Sequence, residues 1–313
     1  MKLEDIGEHE FINKVIRSFI GNKVLEDVFF KNGLGYKIDG FQLSYLFPFM
    51  DYYDVGWKAV TGVVSDLVYS LSQPKIIMAS FGLPGKTEAS EAEKLIRGIY
   101  ESSLYYNAEY AGGDTNGSSS SGWIDVMGVG ELVCERYNDI KEGDELVLTN
   151  PVGLTSNVFI SYLNGFKIPI LHEAEIKVKH PVVNIHALNV LRELCPIISY
   201  STDVSDGVLI SMYNVVKRFN VGIEVTKLPI DDNVISLMSN YGYTYLDILR
   251  YSGEEYEGLI AVRKGNTEKV ISKLKSIGMR PFVVGKVTSG SNEVTYKGKR
   301  LDEAGWDNFK GWF

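Results

Sequence analysis

Between Tyr53 and Leu71 the chain carries Trp57, Val60, Val64, Leu67 and Val68 at helical spacing, which predicts a long helix with an apolar side. Asp66 lies inside the same apolar stretch. A carboxylate taken out of water without a partner is costly, so the fold that covers this helix must also supply Asp66 with one.

Around that helix, segments of strand and helix character alternate. Leu34, Tyr36 and Ile38 alternate as in a strand that delivers Asp39, and 75–81 reads as a buried strand. Residues 87–105 read as a helix, and 123–133 as another strand. The turn-forming Lys141-Glu142-Gly143-Asp144 precedes a new alternation, with helices expected near 182–194, 206–219 and 267–277 and strands near 146–148, 221–225 and 255–262. The expected fold is therefore α/β (α+β), with two mixed α/β domains over residues 1–142 and 143–313. The length of 313 residues is enough for two cores.

Composition narrows the function classes. A formal net charge of -8 with dispersed lysines and arginines argues against nucleic acid as a partner. The N-terminus lacks an apolar segment of signal-peptide length, and no run approaches a membrane span, so a cytoplasmic protein is expected. Cys134 and Cys195 have no metal-ligand or redox spacing and are expected to be buried thiols. The four histidines show no zinc spacing and receive no role. P-loop, protein-kinase and dinucleotide-binding signatures are absent.

The chemistry-bearing residues are aspartates beside glycines. Gly112-Gly113-Asp114-Thr115 reads as an acidic loop, and Asp203-Val204-Ser205-Asp206-Gly207 as a second, with Ser118 to Ser121 a polar loop after the first. Each motif alone has a plain structural reading: Ser205 and Asp206 could cap a helix, Asp39 could open a turn with Gly40, and Glu26-Asp27 could be a solvated helix end. Together, Asp27, Asp39, Asp66, Asp114, Asp203 and Asp206 would repel one another strongly unless cations lay between them. Two or more Mg2+ ions, which prefer oxygen ligands and bridge the phosphates of ATP, suit such a basin.

In order along the chain, Glu26-Asp27, Ile38-Asp39-Gly40, Asp54 to Val60, Val64-Ser65-Asp66-Leu67, Gly112 to Thr115, Gly143 to Leu146, Asp203 to Gly207 and Ser252 to Glu257 resemble the thiamine-monophosphate kinase family. That family lies in the larger superfamily of aminoimidazole ribonucleotide synthetase, selenophosphate synthetase and the hydrogenase-maturation dehydratase. The resemblance implies a homodimer formed by the N-terminal domain, which also makes the ATP cleft. It implies direct, Mg2+-assisted transfer of the γ-phosphoryl group from ATP to thiamine monophosphate. Residue by residue, it implies metal ligation by the six aspartates, with Asp114 and Asp206 catalytic. Gly112, Gly113 and Ser205 would meet ATP, and Glu254 and Trp306 the acceptor, Trp306 either stacking on its heterocycle or packing.

The chain departs from the family at four places: Glu26 to Phe29, Lys37-Ile38, Ser70-Leu71-Ser72, and Ser252 to Glu257. Lys37 could bring an ammonium to the metals or to a phosphate. Two alternatives stay open, another ATP-dependent enzyme of the superfamily with a different small substrate, and a non-catalytic nucleotide-binding dimer.

Overall fold

The computed structural model describes residues 2–119, 121–135, 139–290 and 292–313. At its centre is the helix Tyr52–Tyr69, which starts where the apolar spacing predicts and is buried on nearly every face. Asp51 caps it: its carboxylate accepts from the Tyr53 and Asp54 backbone N–H groups, and the Asp54 carboxylate accepts from Asp51 N in return.

One side of this helix is covered by a five-stranded sheet of order β1-β2-β5-β3-β4. Its strands are β1 (Phe29–Lys31), β2 (Leu34–Gln42), β3 (Ser72–Pro84), β4 (Glu109–Ser118) and β5 (Trp123–Leu132). Only β3 and β4 run parallel, joined through the helix Ala89–Tyr105. That helix crosses the central one where two glycines meet: a Cβ on Gly56 would lie 2.2 Å from Leu95 O, and one on Gly98 2.1 Å from Tyr53 O. Any side chain there would push the pair apart.

The second half forms a seven-stranded sheet of order β12-β11-β8-β10-β6-β9-β7. Its strands are β6 (Glu145–Leu148), β7 (Ile198–Asp203), β8 (Val221–Val225), β9 (Gly258–Val262), β10 (Phe282–Ser289), β11 (Val294–Tyr296) and β12 (Lys299–Leu301). A hairpin of β13 (Trp306–Asp307) and β14 (Gly311–Trp312) ends the chain. Both halves are thus mixed α/β.

The hydrophobic core does not respect the midpoint of the chain. Val60, Val63, Val64 and Leu67 of the central helix join Ile77 and Ile124 of the first sheet and Val147, Ile260 and Val262 of the second in one buried cluster. Each such side chain contributes about 1.5–3 kcal/mol on burial, so the helix is stabilised from both sheets.

Three details depart from the sequence reading. Gly112 to Thr115 is not a loop but part of strand β4. Strand β4 runs to Ser118, while Ser120 of the polar tract lies outside the described residues. The cysteines are not free thiols: Cys134 is bonded to Cys195, 61 residues on. Among the described residues no helix is long and apolar enough to cross a membrane.

Candidate functional site

Strand alternation in β2 sends Tyr36 and Ile38 to one face of the sheet and Lys37 and Asp39 to the other, toward the central helix. There Lys37 Nζ lies 3.0 Å from Asp66 Oδ2 and 3.9 Å from Asp39 Oδ2. Asp66 has therefore found the partner its apolar setting demands. Beside it on the helix, Ser65 Oγ donates to Asp203 Oδ2 at 2.6 Å, where β7 ends. Thr202 Oγ1, next to Asp203, donates to Asp27 Oδ2 at 2.7 Å. Chain neighbours Ser65-Asp66 and Thr202-Asp203 thus bring Asp27, Asp39, Asp66 and Asp203 within the field of a single ammonium, which directly meets Asp66 and Asp39.

Electrostatics follow from that packing. Burial pushes the Asp66 carboxyl well above the usual carboxylate range, opposed by Lys37 and aided by Asp203, Asp27 and Asp39. Burial and Asp27 raise Asp203 to about 7, against the hydrogen bond from Ser65. Asp206 also rises to about 7, through burial first and then the fields of Glu8 and Asp39. Burial works against the Lys37 ammonium, but Asp66, Asp39 and Asp27 outweigh it and hold its pKa above the usual lysine range.

Asp206 is free for such a role because it caps nothing. The helix Val208–Phe219 has Gly207 at its N-cap with no side-chain cap, and Val208 N donates instead to Ser252 Oγ at 3.0 Å. The capping reading of Ser205 and Asp206 is overturned. Ser252, one of the departures, supplies the acceptor.

Asp114 is not brought to this cluster within the chain. The register aligns Asp114 with Ser80, Asp125 and Gly40, the row next to Gly113, Ala79, Val126 and Asp39. Adjacent rows face opposite sides of a sheet. Asp114 therefore stands on the outer face, exposed, where it accepts from Asn116 Nδ2 at 2.8 Å. Gly112 and Gly113 have positive φ, and a Cβ on Gly113 would lie 1.6 Å from Ala79 O. Only glycine fits there.

Beside the acid cluster opens a cavity of about 480 Å³, shared by the two halves of the chain. Its lining has an acid part, Asp39, Ser205 and Asp206, and an aromatic part, Phe41, Tyr45, Phe47, Tyr162, Trp306 and Trp312, and the two join where Trp306 N donates to Asp206 O at 2.9 Å. Trp306 meets Tyr45 and Trp312 edge to face, with ring centroids 5.5 and 5.4 Å apart. Lys58, from the central helix, pairs with Glu254 Oε2 at 2.5 Å, and both line the cavity.

The segment carrying Glu254 is fixed from behind. Glu254 N donates to Ser205 O and Tyr256 N to Val204 O, so the 252–257 motif is tied to the 203–207 motif through the backbone. Glu255 Oε1 accepts from Gly153 N, Thr155 N and Thr155 Oγ1 at the start of the helix Leu154–Leu163. Glu257 binds Lys177, Thr149 and Asn150. Glu26, the remaining acidic departure, pairs with Arg218.

Sequence reasoning gave no role to Lys58, Phe41, Tyr45 or Trp312. The signal for Lys58 was available: a charge inside the same apolar helix as Asp66 calls for a partner by the same argument. Among the described residues no histidine lines the cavity.

The gathered donors are carboxylate and hydroxyl oxygens, the set that suits a hard cation such as Mg2+. Among the described residues, however, no three acidic, histidine or cysteine side chains stand as a ready-made metal shell. The acids close instead on Lys37.

Comparison with known proteins gives consistent matches. The model of the AIR synthase related protein N-terminal domain matches residues 28–132, and that of the C-terminal domain matches residues 141–297. Thiamine-monophosphate kinase of Pyrococcus abyssi is 28% identical over 270 residues, covering 84% of this chain and 81% of its own. Among solved structures, a Thermus thermophilus protein superposes with a TM-score of 0.86 at 23% identity, covering 96% of this chain and 100% of its own. AaThiL complexed with AMPPCP and TMP superposes with a TM-score of 0.83 at 22% identity, covering 98% of this chain and 99% of its own.

Proposed function

Because the chain belongs to the AIR synthase related protein family, whose two domain models span most of its length, we propose that it is a thiamine-monophosphate kinase: it transfers the γ-phosphoryl group of ATP to the phosphate of thiamine monophosphate. One observation carries the reading. A single cavity brings Asp39, Asp206 and Ser205 together with an aromatic wall and Glu254. That pattern suits a small molecule with a flat cationic ring and a phosphate, the ring against Trp306 and its positive charge near Glu254. The relatives at 24–28% identity named thiamine-monophosphate kinase support the same substrate.

In this reading an oxygen of the acceptor phosphate attacks the γ-phosphorus, the bond to the β-γ bridging oxygen breaks, and ADP leaves. No protein nucleophile is required. Asp27, Asp39, Asp66, Asp203 and Asp206 would hold Mg2+, which when bound neutralises the repelling phosphates and aligns them for in-line attack. Ser205 can donate to a phosphate oxygen, and the aromatic wall keeps water from the acceptor end.

Asp114 enters the site in this reading from the outer face of the first sheet. That face carries two rows of apolar side chains, Ile38-Met127-Met78 and Tyr36-Val129-Ile76, and Ile38 is 68% exposed. A second copy of the chain would cover it, and ATP bound between the copies would reach Gly112, Gly113 and Asp114. Light scattering on the purified protein should give the mass of two chains; a monomer at all concentrations refutes the pairing.

Incubation with ATP, Mg2+ and thiamine monophosphate should yield ADP and thiamine diphosphate in equal amounts. Absence of thiamine diphosphate across a range of metal concentrations and temperatures would refute the proposed activity.

A further inference from the structure

The acid cluster already contains a cation, and that cation belongs to the chain. Lys37 reaches it from β2 because Tyr36 and Ile38 occupy the opposite face, so alternation fixes its direction. Its ammonium contacts Asp66 at 3.0 Å and Asp39 at 3.9 Å, with the side chain only 20% exposed. Mg2+ sits about 2.0–2.1 Å from each oxygen it binds. An ion within that distance of Asp66 Oδ2 on the cluster side would compete with the ammonium for the same oxygen. Among the described residues no three acidic, histidine or cysteine side chains stand as a ready-made metal shell, whereas Asp66 stands at hydrogen-bond distance from the ammonium.

We propose that Lys37 is a tethered counter-ion that occupies one cation position of the cluster, so that the chain binds one divalent ion fewer than it would with a small neutral residue there. The consequence is a site whose carboxylates are held together before nucleotide arrives. This inference rests on reading the cluster as the nucleotide and metal site.

The test counts Mn2+ bound to the full chain by electron paramagnetic resonance of the free ion, with the ATP analogue AMPPCP present and no acceptor. Lys37→Ser, which removes the charge and opens space, should bind one more Mn2+ per chain than wild type. Lys37→Met, which removes the charge but fills the space, should bind no extra ion and should melt lower than wild type without metal. If Lys37→Ser requires Mn2+ to fold, its melting midpoint will rise more steeply with added Mn2+ than that of the wild-type chain, which gives the same conclusion.

Equal Mn2+ counts in wild type and Lys37→Ser, both with AMPPCP bound, overturn the inference alone. So does a Lys37→Ser chain that stays unfolded at saturating Mn2+. A wild-type chain that binds neither Mn2+ nor AMPPCP and makes no thiamine diphosphate sinks the kinase reading and this inference with it.

Discussion

At its acid end the cavity is walled by side chains from strand β2 and from the turn that follows strand β7, with the central helix behind them. Its aromatic end is walled by the segment around Tyr45 and Phe47, the helix Leu154–Leu163 and the terminal hairpin β13–β14. The first set is anchored in a core shared by both sheets; the second includes Phe41 of β2 and the well-buried helix Leu154–Leu163, but also the terminal hairpin, whose strands are two residues each. An element in the core can move a side chain only by disturbing its neighbours, whereas a hairpin of two-residue strands can be reshaped cheaply. In the proposed reading the difference would separate two tasks, phosphoryl chemistry at the rigid end and the choice of acceptor at the adaptable one.

Asp206→Asn gives the strongest test of that division. It should lower thiamine diphosphate formation by at least about 10³-fold, while the melting temperature above pH 7 holds or rises, because Asn removes a carboxylate that the fold ionises with difficulty. Retained activity would show that the acid end does not carry the chemistry.

Trp306→Ala tests the other end. Loss of one aromatic platform under a heterocycle is worth about 1–3 kcal/mol, so KM for thiamine monophosphate should rise about 5- to 150-fold with KM for ATP unchanged. Steady-state kinetics with each substrate varied would reveal it. An equal change in both would mean that the two ends are not separate.

The smallest effect concerns pH. Asp203 and Asp206 are held at about 7 in the fold, above the usual carboxylate value near 4. Between about pH 4 and pH 7 the folded chain thus retains protons that the unfolded chain has lost. Stability per unit pH changes with the protons bound by the unfolded state minus those bound by the folded state, which is negative here. The contribution of these groups to metal-free stability therefore falls as pH rises from 4, and the loss is complete above 7. Added Mg2+ should raise the melting temperature more at pH 8 than at pH 5, and Asp206→Asn should flatten the metal-free slope. A Mg2+ effect that shrinks with pH would contradict the assignment.

Much of the fold was legible because period is a physical signal. The central helix announced itself through its apolar spacing; the run 75–81 was legible as a strand but was misread as buried, since Ile76 and Met78 stand exposed on the outer face of the sheet. Asp66 was legible as a residue in need of a partner, but not that the partner was Lys37, 29 positions earlier on a neighbouring strand. Gly112 to Thr115 was misread because two glycines suggest a turn. Counting alternation onward from Tyr110 would have continued the strand but put Asp114 on the inner face with Asp39; the irregularity in the β3–β4 pairing between Ile77 and Ala79, where β4 carries one extra residue, turns it outward. The pairing of Cys134 with Cys195 left no local trace, since only the tertiary fold brings them together. Ser252 and Glu255, legible only as departures, turn out to hold helix starts.

The central helix also acts as a ruler. Lys58, which meets Glu254, and Asp66, which meets Lys37, are eight residues apart; at the rise of an α-helix that is about 12 Å. Because the helix is clamped along its whole length, this spacing cannot relax to suit the ligand. If the proposed acceptor lies with its ring near Glu254 and its phosphate toward the acid cluster, it would carry the two at a set reach, and inorganic phosphate or a shortened analogue, unable to span the two marks, should be a poor substrate even at high concentration.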